Sequence, residues 1–264
     1  MLRKRIIFTL IYSESSFMQS RNFRLQKVGN LNWLEKNYKF QNIAFALDEL
    51  IVLNATKGEK NIVEFASTIT KLVNDVFIPI AAGGGIKTME DAELLFKSGA
   101  DKIVLNSLFI QDPSMVKELI KNYGSQSVVG SIDCKFDGSK YEIFIKDGSV
   151  KIDFELLEYI NYLEELGVGE IYLNSIDKDG TGFGYDQALI EKVNKATSLP
   201  LIIAGGAGNE NHLAHGLQIE NVSAVATANL FNFIGNGLPN ARKQIIDSKV
   251  NIANWSINNH FTNI

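Results

Sequence analysis

The 264-residue sequence is poor in cysteine (one), proline (four), tryptophan (two) and histidine (three). A lone cysteine, Cys134, cannot close an internal disulfide and fits a reducing compartment, so a cytoplasmic location is expected. No apolar run approaches the roughly 20 residues of a membrane span. Basic residues are scattered apart from Arg3–Arg5, and the net charge is -4, which argues against nucleic acid and against an anionic membrane surface as partners. His212, His215 and His260 show no ligand spacing with cysteines or carboxylates, so they read as solvated and no metal or cofactor is expected. Cys134 lacks an accompanying histidine and reads as a packing residue. No Pro/Ser-rich linker divides the chain, so residues 1–264 are expected to form one domain. The basic start and short apolar run ending near Tyr12 read as a first strand rather than a secretory leader.

What the sequence does have is alternation. Eight runs rich in Ile, Val and Leu are predicted strands: Arg5–Ile11, Glu49–Asn54, Ile78–Ala82, Lys102–Asn106, Ser127–Asp133, Glu170–Ser175, Leu201–Ala204 and Ala224–Ala228. Helical stretches separate them, from Leu31–Phe40 to Pro113–Tyr123 with Asp112 as its N-cap. Eight strand–helix units with continuously apolar strands predict an α/β fold, a parallel (β/α)8 TIM barrel. The halves repeat. Pro79–Gly85 and Lys102–Phe109 are echoed by Pro200–Gly208 and Val225–Phe231, so the barrel is expected to consist of two similar half-barrels. The longest irregular segments are Ser13–Asn30 and Phe136–Asp153, the second containing a small hairpin at Tyr141–Gly148.

In such a barrel, chemistry sits where the strands end. Gly83–Gly85 follows the third strand and Gly205–Gly208 the seventh, while Asn106-Ser107 and Ala228-Asn229 end the fourth and eighth. Glycine-rich turns let the backbone approach an anion. One such cluster would only mark a tight turn; two at equivalent points of a repeat point to a ligand with two phosphates. Asp177–Thr181 adds carboxylates and a glycine turn after the sixth strand. Asp133 ends the fifth strand as a candidate acid or base, and the repeat places Ile11 at its mirror position. At the strand starts stand Arg5, Glu49, Lys102 and Glu170. Pointing inward they would form a mutually paired ring; pointing outward they are ordinary surface charges. The aromatic, glycine-rich Phe231–Gly237 stretch could line the mouth, dock a partner or fill the core.

These motifs resemble, over nearly the whole chain, the HisF family, the cyclase (lyase) subunit of imidazole glycerol phosphate synthase. The pieces that carry the resemblance include Lys4–Ile7, Asp48–Leu50, Gly83–Ile86, Gly99–Lys102, Gly124–Gln126, Ile132-Asp133, Gly169–Ile171, Ser175–Thr181, Gly184–Asp186 and Gly205–Gly208. The resemblance implies a (β/α)8 barrel with a glutaminase (HisH-like) partner at its N-terminal face, whose ammonia crosses the barrel to a substrate at the opposite mouth. It implies an ammonia gate at Arg5, Glu49, Lys102 and Glu170. It implies phosphate contacts at Gly85, Asn106 and Ser107 on one side and at Asp179, Gly180, Gly206, Ala228 and Asn229 on the other, with Gly205 in the same glycine turn.

The chain departs from the family where the chemistry would be. Of two family aspartates it keeps Asp133, and Ile11 replaces the other. Asn54 replaces an aspartate on the second strand, and Gln19 a lysine of the first loop. The Thr56–Lys60 loop is shortened. Related barrels with an apolar first position resemble ammonia sources in bacterial surface-sugar clusters that make acetamidino sugars, and the Ala226–Gly235 stretch is similar to that branch. The expected role is therefore an ammonia-conducting barrel in a glutamine-dependent amidation complex. An authentic cyclase of histidine biosynthesis and a non-catalytic phosphate-binding scaffold are the alternatives.

Overall fold

The structure is a computed structural model and describes residues 3–38, 43 and 45–254. The end of the expected first helix, Lys39 and Phe40, and His260 lie outside them.

The barrel strands are β1 (Arg5–Ser13), β4 (Glu49–Asn54), β5 (Ile80–Gly83), β6 (Lys102–Leu105), β7 (Val128–Phe136), β10 (Glu170–Ser175), β11 (Leu201–Ala204) and β12 (Val222–Thr227). They are hydrogen-bonded in that order, all parallel, and β12 returns to β1, closing an eight-stranded barrel. Side-chain alternation divides each strand between two apolar layers. In β1, Ile6, Phe8 and Leu10 pack outward under the helices, and Ile7 joins Ile51, Val104, Val129 and Ile202 inside. Arg5, Thr9 and Ile11 share the inward face with Ile7. The period of two thus stacks the interior in tiers: charge, apolar side chains, hydroxyl, and mouth.

The outer ring comprises α1 (Leu31–Tyr38), α2 (Ile62–Asp75), α3 (Met89–Lys97), α4 (Leu108–Gln111), α5 (Pro113–Tyr123), α6 (Leu156–Leu166), α7 (Gln187–Asn194), α8 (Glu210–Gln218) and α9 (Gly237–Asp247). Short polar side chains start several of them. Asn61, Asp112, Asp186 and Asn209 each accept a backbone N–H of the first turn, and Thr88 with Asp91 forms a capping box. At the strand starts, fully buried Arg242 of α9 grips Asp48 with two bonds of 3.0 and 2.9 Å, and Asp48 also accepts the Ile6 N–H.

Three expectations need correction. Ser13–Asn30 is not irregular: it forms a hairpin of β2 (Ser16–Arg21) and β3 (Arg24–Gly29), turned at Asn22 and Phe23 with φ of 49° and 61°. Its polar strands carry little β signal, and β2 is held by antiparallel pairing to the end of β1, Ile11 with Met18, which lays the hairpin over the mouth. In the second insertion, Tyr141–Gly148 is a middle strand and its turn rather than a whole hairpin. β8 (Tyr141–Ile145) pairs with β7 on one side and β9 (Val150–Ile152) on the other. That pairing carries β7 to Phe136, past the expected end at Asp133. Short α4, between the expected strand end at Asn106 and the helix at Pro113, was unforeseen because four residues are too few to show a helical period.

Candidate functional site

At the strand starts, the four charges point inward and close a cycle. Arg5 Nη1 lies 2.6 Å from Glu49 Oε2, and Arg5 Nη2 bonds Glu170 Oε1. Lys102 Nζ lies 3.1 Å from Glu49 Oε1 and 3.3 Å from Glu170 Oε2. Ser223 Oγ donates to Glu170 at 2.8 Å, a fifth member that nothing in its spacing announced. Burial pushes the Glu49 carboxyl up, while Lys102 and Arg5 pull it back and Glu170 adds to the rise. Burial opposes the Arg5 charge, and Glu170 and Glu49 more than restore it. Two cations and two carboxylates neutralise each other, which is what permits them inside a barrel.

Above the ring the apolar interior also holds hydroxyls: Thr9 Oγ1 and Tyr172 OH, 3.2 Å apart and both buried, and the buried Ser131. Above these opens a cavity of about 940 Å³ at the strand ends. Asp133 lines it, 8% exposed, its carboxylate accepting from Asn106 Nδ2 and Asn174 Nδ2, each at 3.2 Å. No cation pairs with it among the described residues. Burial pushes its pKa up to about 7, Asn174 pulls it down, and Asp147 and Asp179 push it up. A carboxyl poised near neutrality can take or give a proton. Sequence reasoning missed Asn174. Its signal was the register, since Asn174 is the β10 partner of Asp133. In the first half, Ile11 is paired with Leu53 at the corresponding step, so that quarter of the mouth is apolar.

All of the expected phosphate residues line this one cavity: Gly85, Asn106, Ser107, Asp179, Gly180, Gly205, Gly206, Ala228 and Asn229. Gly84, Gly85, Gly205 and Gly206 have φ between 85° and 108°. A Cβ at Gly84 would strike Asn54 O, so the bare backbone is required there. Asn106 and Ser107 lie just beyond β6, and Ala228 and Asn229 just beyond β12. The two sides differ. Asp179 is spent on the β2–β3 hairpin, accepting Ser20 Oγ at 2.5 Å and the Phe23 N–H at 2.9 Å, and Gly180 packs against the Ser20 backbone. Gln19 Oε1 accepts the Leu230 N–H at 2.8 Å, closing the hairpin onto the loop after β12.

Cys134 is buried, and burial raises its thiol well above its usual range. His212 is not simply solvated: its Nδ1 accepts the Gly208 N–H at 3.1 Å, and burial lowers its pKa. Among the described residues, no group of three or more His, Cys, Asp or Glu could hold a metal ion, and no helix is long and apolar enough to cross a membrane. The aromatic stretch is divided, with Phe233 in the core and Phe231 and Ile234 exposed.

The family model described as histidine biosynthesis protein matches residues 26–235. A protein of Parasynechococcus marenigrum, provisionally named imidazole glycerol phosphate synthase subunit hisF2, is 43% identical over 258 residues, 97% of this chain and 96% of that one. The imidazole glycerol phosphate synthase subunit HisF of Pyrobaculum aerophilum is 38% identical over 186 residues, covering 70% of this chain and 73% of its own. That of Chloroherpeton thalassium is 37% identical over 234 residues, covering 88% and 92%. With its closed eight-stranded barrel and these relatives, the chain belongs to the HisF family of histidine biosynthesis proteins.

Proposed function

We propose that this chain is the barrel subunit of a glutamine-dependent amidotransferase complex. The chain serves as one cytoplasmic barrel domain. A glutaminase docks at the N-terminal face, and its ammonia passes the gate of Arg5, Glu49, Lys102 and Glu170 toward the mouth. The ammonia serves amidation in surface-sugar (acetamidino) biosynthesis rather than imidazole ring closure. The glycine turns after β5 and β11 receive a phosphorylated small molecule.

One observation carries this reading: Ile11 beside Leu53 stands where a second carboxylate would face Asp133, while the four-charge cycle beneath is complete. Isoleucine can neither take nor give a proton, and loss of a positioned acid or base costs about 10²–10⁴ in rate. The test is an ammonia-dependent cyclase assay on the purified chain with the ribulosyl-formimino substrate. Negligible turnover is expected, and turnover at an ordinary cyclase rate would overturn the reading.

A second reading, an authentic cyclase, is supported by Asp133 itself, uncharged to about neutral pH and open to the cavity. It requires turnover in the natural sequence that collapses in Asp133→Asn.

A further inference from the structure

The charges lining the mouth are unevenly placed. Its four lysines, Lys57, Lys60, Lys87 and Lys146, come from the loops after β4 and β5 and from the β8–β9 turn. The lining residues after β10, β11 and β12 include Asp179 and no lysine. Lys60 is the most constrained of the four. Its side chain is 13% exposed and crosses the Gly84-Gly85 turn, where a Cβ on Gly85 would come within 3.0 Å of Lys60 Cβ. Its ammonium donates to Asn54 O at 2.7 Å and pairs with Asp147 Oδ1 at 3.0 Å. Asp147 sits at the tip of the β8–β9 turn, half exposed, and the preceding Lys146 N–H donates to Ser107 Oγ at 3.2 Å.

Lys60 thus lies over the glycine backbone of one would-be anion cradle and, through Asp147, meets the turn that bonds Ser107 on its other side; the carboxylate it neutralises belongs to that turn rather than to the core. An ammonium is a mobile point charge with three donors, and a half-exposed carboxylate is a replaceable partner for it. A phosphate offers more charge and more acceptors than Asp147 does.

We propose that Lys60 is the cationic ligand of an oxyanion in the Gly84-Gly85, Asn106, Ser107 cradle, and that Asp147 is the counter-ion it exchanges for a phosphomonoester. The proposal rests on the reading of that glycine turn as a phosphate site, and it is independent of ammonia transfer.

Calorimetric titration of the purified chain with inorganic phosphate and with ribose 5-phosphate tests it. Lys60→Met is expected to weaken both by about tenfold or more, Lys60→Arg to stay within about threefold, and Asp147→Asn to tighten binding about two- to fivefold by removing the competitor. The double variant should match Lys60→Met, because Asp147 acts only through Lys60. Matching melting curves establish that the variants fold. Lys60→Met binding as well as the natural chain overturns the role of Lys60 and leaves the cradle standing. Asp147→Asn weakening binding as much as Lys60→Met overturns the exchange and makes the pair a structural latch. No phosphate binding by the natural chain sinks the cradle with it, while leaving the ammonia-conducting role untouched.

Discussion

Ile11 and Asp133 occupy the same place in the two half-barrels. Ile7 pairs with Glu49 and Val129 with Glu170, and four residues further on stand Ile11 and Asp133, paired with Leu53 and Asn174. At this step the first half presents two apolar side chains and the second a carboxyl held by amides.

Restoring the missing group should restore chemistry. Ile11→Asp is expected to raise ammonia-dependent cyclase turnover by about 10² or more over the natural chain. No gain, in a variant that folds and binds phosphate, would mean the mouth has diverged beyond that one position.

Asp133 should make stability depend on pH in a definite direction. Its native pKa of about 7 lies above the unfolded value of about 3.9, so the native state keeps a proton that the unfolded chain gives up. The favourable contribution is therefore full below about pH 4 and is lost as pH rises through about 7. Asp133→Asn carries no such penalty. Its stability relative to the natural chain, from urea unfolding, should improve by on the order of 1–3 kcal/mol between pH 5 and pH 8. A difference independent of pH would contradict the raised pKa.

The charge cycle should behave as a buried network. Lys102→Met strips Glu49 and Glu170 of a shared cation and is expected to cost about 3–5 kcal/mol in urea unfolding. The exposed pair of Lys97 and Glu93 on α3 is the control. Lys97→Met should leave the midpoint where it is. Equal effects would mean the cycle is solvated rather than buried.

One carboxylate, Asp179, pins the turn of the hairpin over the mouth. Asp179→Ala removes the acceptor of Ser20 Oγ and of the Phe23 N–H. Amide exchange across β2 and β3 should then speed up by about tenfold or more, with β7 and β10 unchanged. Unchanged protection of the hairpin would show that Gln19 and Asn22, whose N–H donates to Asp179 O and whose Nδ2 donates to Ile176 O, suffice to hold it.

The sequence by itself determined the barrel and which side chains of a strand share a face. Buried parallel strands need continuous Ile, Val and Leu, and the two-residue period then decides that Arg5, Ile7, Thr9 and Ile11 share a face. Strand order and half-barrel symmetry were legible because the Gly83–Gly85 and Gly205–Gly208 turns recur at equivalent points. That Ile11 stands at the mirror position of Asp133 was legible from the same repeat. Only the tertiary structure decided what reaches the mouth from distant loops. That Asn106 and Asn174 hold Asp133, that Ser223 joins the charge cycle, that β2–β3 occupies Asp179, and that Lys60 meets Asp147 are contacts between segments 27 to 159 residues apart. Local pattern records what a residue's own segment requires. It carries no record of a polar contact made across the barrel, because such a contact depends on closure bringing two unrelated loops to one point.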